Sequence, residues 1–314
     1  MVVIAVLLPV LLLIGVIVGL VALRWSTELI KSPEPDEPGS PDEYGLPFTE
    51  VLFRSQDGLM LHGWFIPAQG VTAFSLQDDD WAKGSKGTVV FGHGRFGSKD
   101  SDVKYAPFFR EAGYNSFLFD FRGHGRSEGD YTSFGFHERK DLLGAIDFLR
   151  TKSITSVGVI GFSLGGVVGI DTAAVCEQIV AVIADGAFVE LRSTLARGAH
   201  ERGLPLWLVR FLGPFTLWLA GRRVGGNLEE SDPIIWVDKI APRALFLIHG
   251  ERDKYVSTDD VRRLYQTAGE PKELWIAPRA EHREADELYP EEYRERVLSF
   301  FDRYLAPASR EATT

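Results

Sequence analysis

Ser163 stands in Gly161-Phe-Ser-Leu-Gly-Gly166, directly behind the apolar run Val157-Gly-Val-Ile160 and ahead of a helix-compatible segment. A serine hydroxyl is a poor nucleophile, and a sharp strand-to-helix turn lifts it out of a sheet to where a base can reach its proton. Glycines at 161 and 165 suit such a turn because it presses backbone against neighbouring atoms. The same five-residue pattern recurs at Gly125-Arg-Ser-Glu-Gly129. Ser127, however, follows a charged loop with Arg122, His124 and Arg126 and precedes Asp130-Tyr-Thr-Ser133, with no strand before it and no helix after it. Context therefore selects Ser163 as the nucleophile and leaves Ser127 as a decoy.

Attack on a carbonyl also needs a base, an acid that orients the base, and donors for the developing oxyanion. The apolar strand Ala244-Leu-Phe-Leu-Ile248 runs into His249-Gly-Glu-Arg-Asp253, and the last strand, Leu274 to Ala277, runs into Pro278-Arg-Ala-Glu-His282. Asp253 and His282 thus fall in loops at the carboxyl ends of strands, where catalysts gather in open α/β sheets. Asp185, which also ends a strand, and Glu251 are competing acids. Of the other histidines, His93 and His249 read as structural groups in His-Gly turns, His62 as a packed strand residue and His200 as part of a cap. His124 and His137 lie in less suitable loops ahead of the serine strand. For the oxyanion, the Leu164 amide opens a helix and has no intrahelical partner. The second donor expected is the Arg95 amide, in His93-Gly-Arg-Phe-Gly97, a stretch that otherwise reads as a plain glycine-rich turn.

Apolar runs and helical segments alternate so as to position these groups. Residues 49 to 54 and 59 to 66, joined through Asp57-Gly58, read as a hairpin. Strands over 88 to 92, 114 to 120, 156 to 162, 179 to 185, 243 to 249 and 273 to 277 are interleaved with helices over 100 to 112, 135 to 150, 164 to 175, 259 to 268 and 290 to 305. Eight such strands, nearly continuous in apolar residues, predict a mostly parallel sheet covered by helices on both faces. The rhythm breaks between Asp185 and Arg243, too long a gap for an ordinary connection. At its centre Leu204 to Ala220 is strongly apolar, with Trp207 and Trp218. Residues 187–238 are accordingly expected to form a helical cap over the site.

Residues 1–24 hold no charge before Arg24 and are dominated by Val, Leu and Ile. As a helix, the first 23 residues would span roughly 34 Å, enough for a bilayer core of about 30 Å. A retained transmembrane anchor fits better than a cleaved signal peptide, since there is no basic leader and no small-x-small site ahead of Arg24-Trp25. Arg24 and Lys31, on the C-terminal side alone, place the bulk of the chain in the cytoplasm by the positive-inside rule. Residues 25–47 read as a proline-rich acidic tether, 48–306 as the catalytic domain and 307–314 as a disordered tail.

In 314 residues, a net charge of −10 and the lack of a basic stripe argue against nucleic acid as a partner. The single cysteine, Cys176, excludes an internal disulfide and reads as a core side chain. Asp78, Asp79 and Asp80 lack an ordered ligand pattern and read as a solvated loop rather than a metal site. No metal or organic cofactor is expected.

Phe91-Gly-His-Gly-Arg-Phe-Gly97, Asp120-Phe-Arg-Gly-His-Gly-Arg-Ser-Glu-Gly129, Gly161-Phe-Ser-Leu-Gly-Gly166, His249-Gly-Glu-Arg-Asp253 and Ala280-Glu-His282 together resemble the α/β-hydrolase superfamily, over residues 48 to 306. The chain order Ser, Asp, His is the order expected there. The closest likeness is to the serine-aminopeptidase and monoacylglycerol-lipase-like branch, in particular small bacterial hydrolases with an N-terminal anchor. The resemblance implies an α/β-hydrolase fold with Ser163, Asp253 and His282 as the triad, and a loop around Ser127 that is structural. Arg95 departs from the small, polar or aromatic residue more usual there, so its guanidinium either favours an anionic substrate or folds outward. The expected function is membrane-anchored serine hydrolysis of a small-molecule or lipid ester or thioester. A peptidase or amidase, and a noncatalytic binding scaffold on the same fold, are the alternatives.

Overall fold

The computed structural model describes residues 2–33, 39–71 and 75–306; within the first helix the side chains of 2–11 and 14 lie outside those described. Eight strands form one sheet: β1 (Thr49–Arg54), β2 (Met60–Ile66), β3 (Gly87–Gly92), β4 (Tyr114–Phe119), β5 (Val157–Phe162), β6 (Ile179–Asp185), β7 (Ala244–Gly250) and β8 (Lys272–Ala277). Their order is β1-β2-β4-β3-β5-β6-β7-β8, and β2 alone runs against the rest. The hairpin turn uses Gly58 at φ 96°, a conformation that costs a side-chain-free residue little.

Helices α1 (Val2–Ile30), α2 (Lys99–Asp102), α3 (Ala106–Glu111), α4 (Glu138–Arg150), α5 (Leu164–Ala173), α6 (Leu191–Glu201), α7 (Leu206–Val224), α8 (Thr258–Thr267), α9 (Ala285–Leu288) and α10 (Pro290–Tyr304) complete the main elements. Strand periodicity divides the core. Val90, Val159, Leu245 and Leu247 point to one face with α4, α5 and α8, while Phe91, Ile160, Phe246 and Ile248 point to the other with α3 and α10. Two apolar layers therefore clamp the sheet, as the unbroken apolar strands required.

Some elements differ from expectation. The helix predicted over 100 to 112 is broken into α2, a 3₁₀ turn at Val103–Tyr105, and α3, which carries Pro107 in its first turn. Proline lacks the N–H that a continuous helix needs and is tolerated only at a start. The helix predicted from 135 begins at Glu138, because that buried carboxylate accepts from Ser133 N (2.7 Å), Ser133 Oγ (2.6 Å) and Gly135 N (2.9 Å) and holds the preceding loop in place.

The N-terminal segment also departs from a simple anchor and tether. α1 continues to Ile30, burying Ala22, Ser26 and Ile30 at helical spacing, and packs along α7. The start of the stretch read as a tether is thus helix, and beyond it Pro41 and Leu46 are buried on the domain; residues 34–38 lie outside those described. Among the described residues no helix is long and apolar enough to cross a membrane, and the first half of the expected anchor has side chains outside that description. The tail expected at 307–314 also lies outside it.

Candidate active site

The turn from β5 to α5 holds Ser163 at φ 51° and ψ −109°, a left-handed conformation that a residue with a side chain adopts at a cost. Sequence makes the turn feasible through its glycines. A methyl group on Gly165 would overlap the Gly92 carbonyl, and one on Gly161 would overlap the Gly165 carbonyl. β3, β5 and α5 meet backbone to backbone at this point. The Ser163 amide donates to the Asp185 carbonyl at 2.7 Å, tying the turn to β6.

His282, in the loop after β8, places Nε2 3.1 Å from Ser163 Oγ and Nδ1 2.7 Å from Asp253 Oδ2. The other oxygen of Asp253 accepts from the amides of Tyr255 (2.7 Å) and Val256 (3.0 Å). Burial works against the Asp253 charge, yet the hydrogen bond and charge of His282 and the Val256 amide outweigh it and hold the carboxyl below its ordinary value. An ionised Asp253 requires a proton on His282 Nδ1, which leaves Nε2 to accept from the serine. Tyr255 packs edge-on against the imidazole at 5.4 Å, and a Cβ at Gly186 would come within 3.2 Å of it, so the ring is confined on two sides.

Groups that compete in sequence are engaged elsewhere. Asp185 accepts from Tyr293 Oη at 2.9 Å, and burial pushes its carboxyl up to about 6. Glu251 accepts from the Arg279 amide. Ser127 donates to the Asp120 carbonyl at 2.7 Å and accepts from the His62 amide at 3.0 Å, a structural role. His93 accepts at Nε2 from the Phe121 amide, so its Nδ1 donates to the Gly94 carbonyl; burial and neighbouring His124 push it down to about 3 and keep it neutral. His249 is the exception: it is buried beside the acid, with Nδ1 3.9 Å from the Asp253 Oδ2 that His282 meets at 2.7 Å. His137 meets the Val224 carbonyl and His200 the Leu204 carbonyl.

The Leu164 amide follows the serine on the first turn of α5; the Arg95 amide lies in the loop after β3, next to Gly94, where an added Cβ would come within 3.6 Å of Ser163 Cβ, and among the described residues no loop or side-chain acceptor takes either amide. The Arg95 carbonyl is held by His124 Nε2 at 2.9 Å. Its guanidinium neither reaches toward a substrate anion nor folds outward. It turns to the C-terminal end of α1, donating to the Leu29 carbonyl at 2.5 Å, and lies over the rings of Phe96 and Phe134. Sequence reading also missed Arg283, which pairs with Asp102 at 2.9 Å and stacks over Phe162 directly behind the serine. Its only signal was adjacency to His282.

A cleft of about 710 Å³ opens between α6, α7 and the loop after β7, lined by Glu190, Arg192, His200, Leu206 and Lys254. Neither Ser163 nor His282 lines it, so it is a neighbour of the site and not the site itself. Asp78 caps the Ser75 amide in an exposed loop, and among the described residues no group of three or more His, Cys, Asp or Glu could hold a metal ion.

The YqkD protein of Bacillus subtilis is 33% identical over 220 residues, covering 68% of this chain and 71% of its own. YfhR of Escherichia coli K12 is 27% identical over 267 residues, covering 82% of this chain and 81% of its own. Both are uncharacterised. Among solved structures, the esterase Pf2001 of Pyrococcus furiosus superposes with a TM-score of 0.70 at 29% identity, over 88% of this chain and 98% of that one. The model of the alpha/beta hydrolase family matches residues 89–300, from β3 to the last helix, and the chain belongs to that family.

Proposed function

We infer that the protein is a membrane-anchored serine hydrolase that cleaves carboxylic esters or thioesters with an apolar acyl group. The observation that carries this reading is the hydrogen-bonded chain from Ser163 Oγ through His282 to Asp253. His282 Nε2 takes the serine proton as Oγ bonds to the substrate carbonyl carbon, and ionised Asp253 stabilises the imidazolium. The amides of Leu164 and Arg95 receive the oxyanion. His282 then protonates the departing alcohol or thiol as the carbon–heteroatom bond breaks. Water, deprotonated by His282, attacks the acyl-enzyme and releases the acid. No step requires a metal or organic cofactor.

Ester chemistry is supported by the esterase likeness at 29% identity and by the apolar residues of α7 in the cap. The finer branch, serine-aminopeptidase or monoacylglycerol-lipase-like, rests on the sequence motifs. So do single-pass anchoring through residues 1–24 and a catalytic domain on the cytoplasmic side. A fluorophosphonate probe should label the wild type and Ser127→Ala but not Ser163→Ala; labelling that survives Ser163→Ala removes the proposal. A parallel series of p-nitrophenyl esters, lysophospholipids and aminoacyl anilides separates esterase from peptidase.

A further inference from the structure

α7 is apolar on both of its faces. Val209, Leu212, Leu217, Ala220 and Val224 are buried against the protein. On the opposite side Trp207, Phe211 and Trp218 are 70%, 68% and 58% exposed, with Phe215 beside them and stacked on Trp218 at 5.7 Å. Their spacing of four, four and three residues sets all four on one helix face. A helix that covers a domain in water ordinarily turns a polar face outward. A contiguous exposed aromatic stripe marks a contact surface.

Charge and continuity identify what that surface meets. The chain as a whole carries −10, yet residues 191–225 contain six arginines and one acidic residue, Glu201. Arg210 and Arg222 are exposed; by helical spacing Arg210 falls on one flank of the aromatic stripe, and Arg222, four residues after Trp218, continues it at its C-terminal end. α1, which packs along α7, exposes apolar residues of its own, Leu12, Leu13, Val16, Ile17, Leu20 and Leu23. Arg223 ties the two helices together through Thr27 Oγ1. A soluble protein partner would need a matching apolar groove, and nothing here points to one. An anionic bilayer supplies both an apolar layer and phosphates at the spacing of an aromatic body with a basic flank.

We propose that α7 is an interfacial helix whose Trp207, Phe211, Phe215 and Trp218 lie at the headgroup–acyl boundary of an anionic membrane, with Arg210 and Arg222 on lipid phosphates. This deepens the membrane-anchored reading of α1, on which it rests, by adding a second and separate membrane contact. The cap would then sit at the depth where lipid ester bonds lie.

The test uses the full chain reconstituted in phosphatidylglycerol–phosphatidylcholine vesicles containing lipids brominated either near the headgroup or near the bilayer centre. Tryptophan quenching by the shallow bromines is expected to exceed that by the deep ones, and most of it should disappear in Trp207→Phe/Trp218→Phe. Arg210→Glu/Arg222→Glu should weaken the shallow quenching. Fluorophosphonate labelling of Ser163 reports that each variant is folded. Equal quenching of the wild type and the double Trp variant overturns the proposal, as does a detergent-stable dimer that the stripe variants dissociate. Alkaline carbonate extraction separates this from the anchor. Retention in the membrane without quenching of the stripe removes only the α7 contact, whereas extraction with stripe quenching intact in untreated vesicles removes only the span.

Discussion

Replacing Asp253 with asparagine tests the triad more sharply than deleting it, because the structure dictates which way the new amide must point. Asp253 Oδ1 receives two backbone amides, from Tyr255 at 2.7 Å and Val256 at 3.0 Å, while Oδ2 faces His282 Nδ1 at 2.7 Å. The carbonyl oxygen of the asparagine must stay with the two N–H donors, since its NH₂ group would clash with both. The NH₂ then faces Nδ1 and obliges that nitrogen to accept. The imidazole proton moves to Nε2, which can no longer take the proton from Ser163. Packing and backbone hydrogen bonds are retained, so the loss is one of tautomer. In a Ser-His-Asp triad such a loss is worth roughly 10⁴ in kcat, or about 5.5 kcal/mol of barrier. Asp185→Asn is the matched control: its carboxyl serves Tyr293 at 2.9 Å, and a loss below about tenfold is expected. The assay is kcat/KM on a p-nitrophenyl ester, with the fluorophosphonate labelling rate as a second readout of nucleophile activation. An Asp253→Asn variant that keeps more than about a tenth of wild-type activity, or an Asp185→Asn variant that loses as much as Asp253→Asn, refutes the assignment.

Asp232 gives a pH-dependent prediction. Burial and the neighbouring charges of Glu229 and Glu190 raise its carboxyl to about 7, while it accepts the Leu191 amide at the start of α6 at 2.7 Å. The folded state therefore holds a proton that the unfolded chain releases near 4, so this group's stabilisation is full below pH 4 and is lost as pH rises to 7. Asp232→Asn keeps the acceptor without the charge, and at pH 8 should gain on the order of 1–2 kcal/mol, or a Tm rise of about 2–6 °C, with little gain at pH 4. Thermal unfolding of both proteins from pH 4 to 8.5 checks this; a gain that is independent of pH contradicts it. Arg95→Ala should lower kcat by about tenfold with KM nearly unchanged, short of the 10²–10³ expected for outright loss of an oxyanion donor, because the amide remains but loses one of its supports. Steady-state kinetics on the same ester decide, and Arg95→Lys should recover part of the loss; a change confined to KM would instead place the guanidinium in substrate binding.

What could be read in advance follows from how far each cause extends along the chain. Strands such as Val157–Phe162 and Ala244–Gly250 declare themselves because a doubly covered parallel strand is apolar throughout, a local property. Ser163 is legible for a related reason: Gly161 and Gly165 record a backbone contact that no side chain would allow. Asp253 and His282 are 29 residues apart in sequence and were placed at the carboxyl ends of strands by their apolar runs, but they meet through Oδ2 and Nδ1 because β7 and β8 are adjacent and parallel. The hidden features depend on contacts with no local record. Pro107 did signal the interruption between α2 and α3, but the packing of α1 along α7 and the engagement of Tyr255 with His282 leave no periodicity behind.

Arg95 combines both kinds. As a sequence feature it was an anomaly in an oxyanion loop, a cation with no evident partner, and the partner proved to be the carbonyl end of a helix 66 residues earlier. The last carbonyls of a helix have no intrahelical donors and carry partial negative charge, so they suit the Arg95 Nη2 that donates to Leu29, while its Nε stays buried without a partner among the described residues. Burial lowers Arg95 to about 10, still well above neutral pH, so it remains a cation in place. The amide expected to bind the oxyanion and the side chain that caps α1 thus belong to one residue, with its carbonyl pinned by His124. Displacing α1 would take away the Leu29 carbonyl that Arg95 Nη2 donates to, and with it one of the contacts that hold the loop and its amide in place. If the Arg95 amide binds the oxyanion, the N-terminal helix supports the loop that carries it, and removing that helix should reduce kcat in the wild type by more than in Arg95→Ala, where the link is already cut.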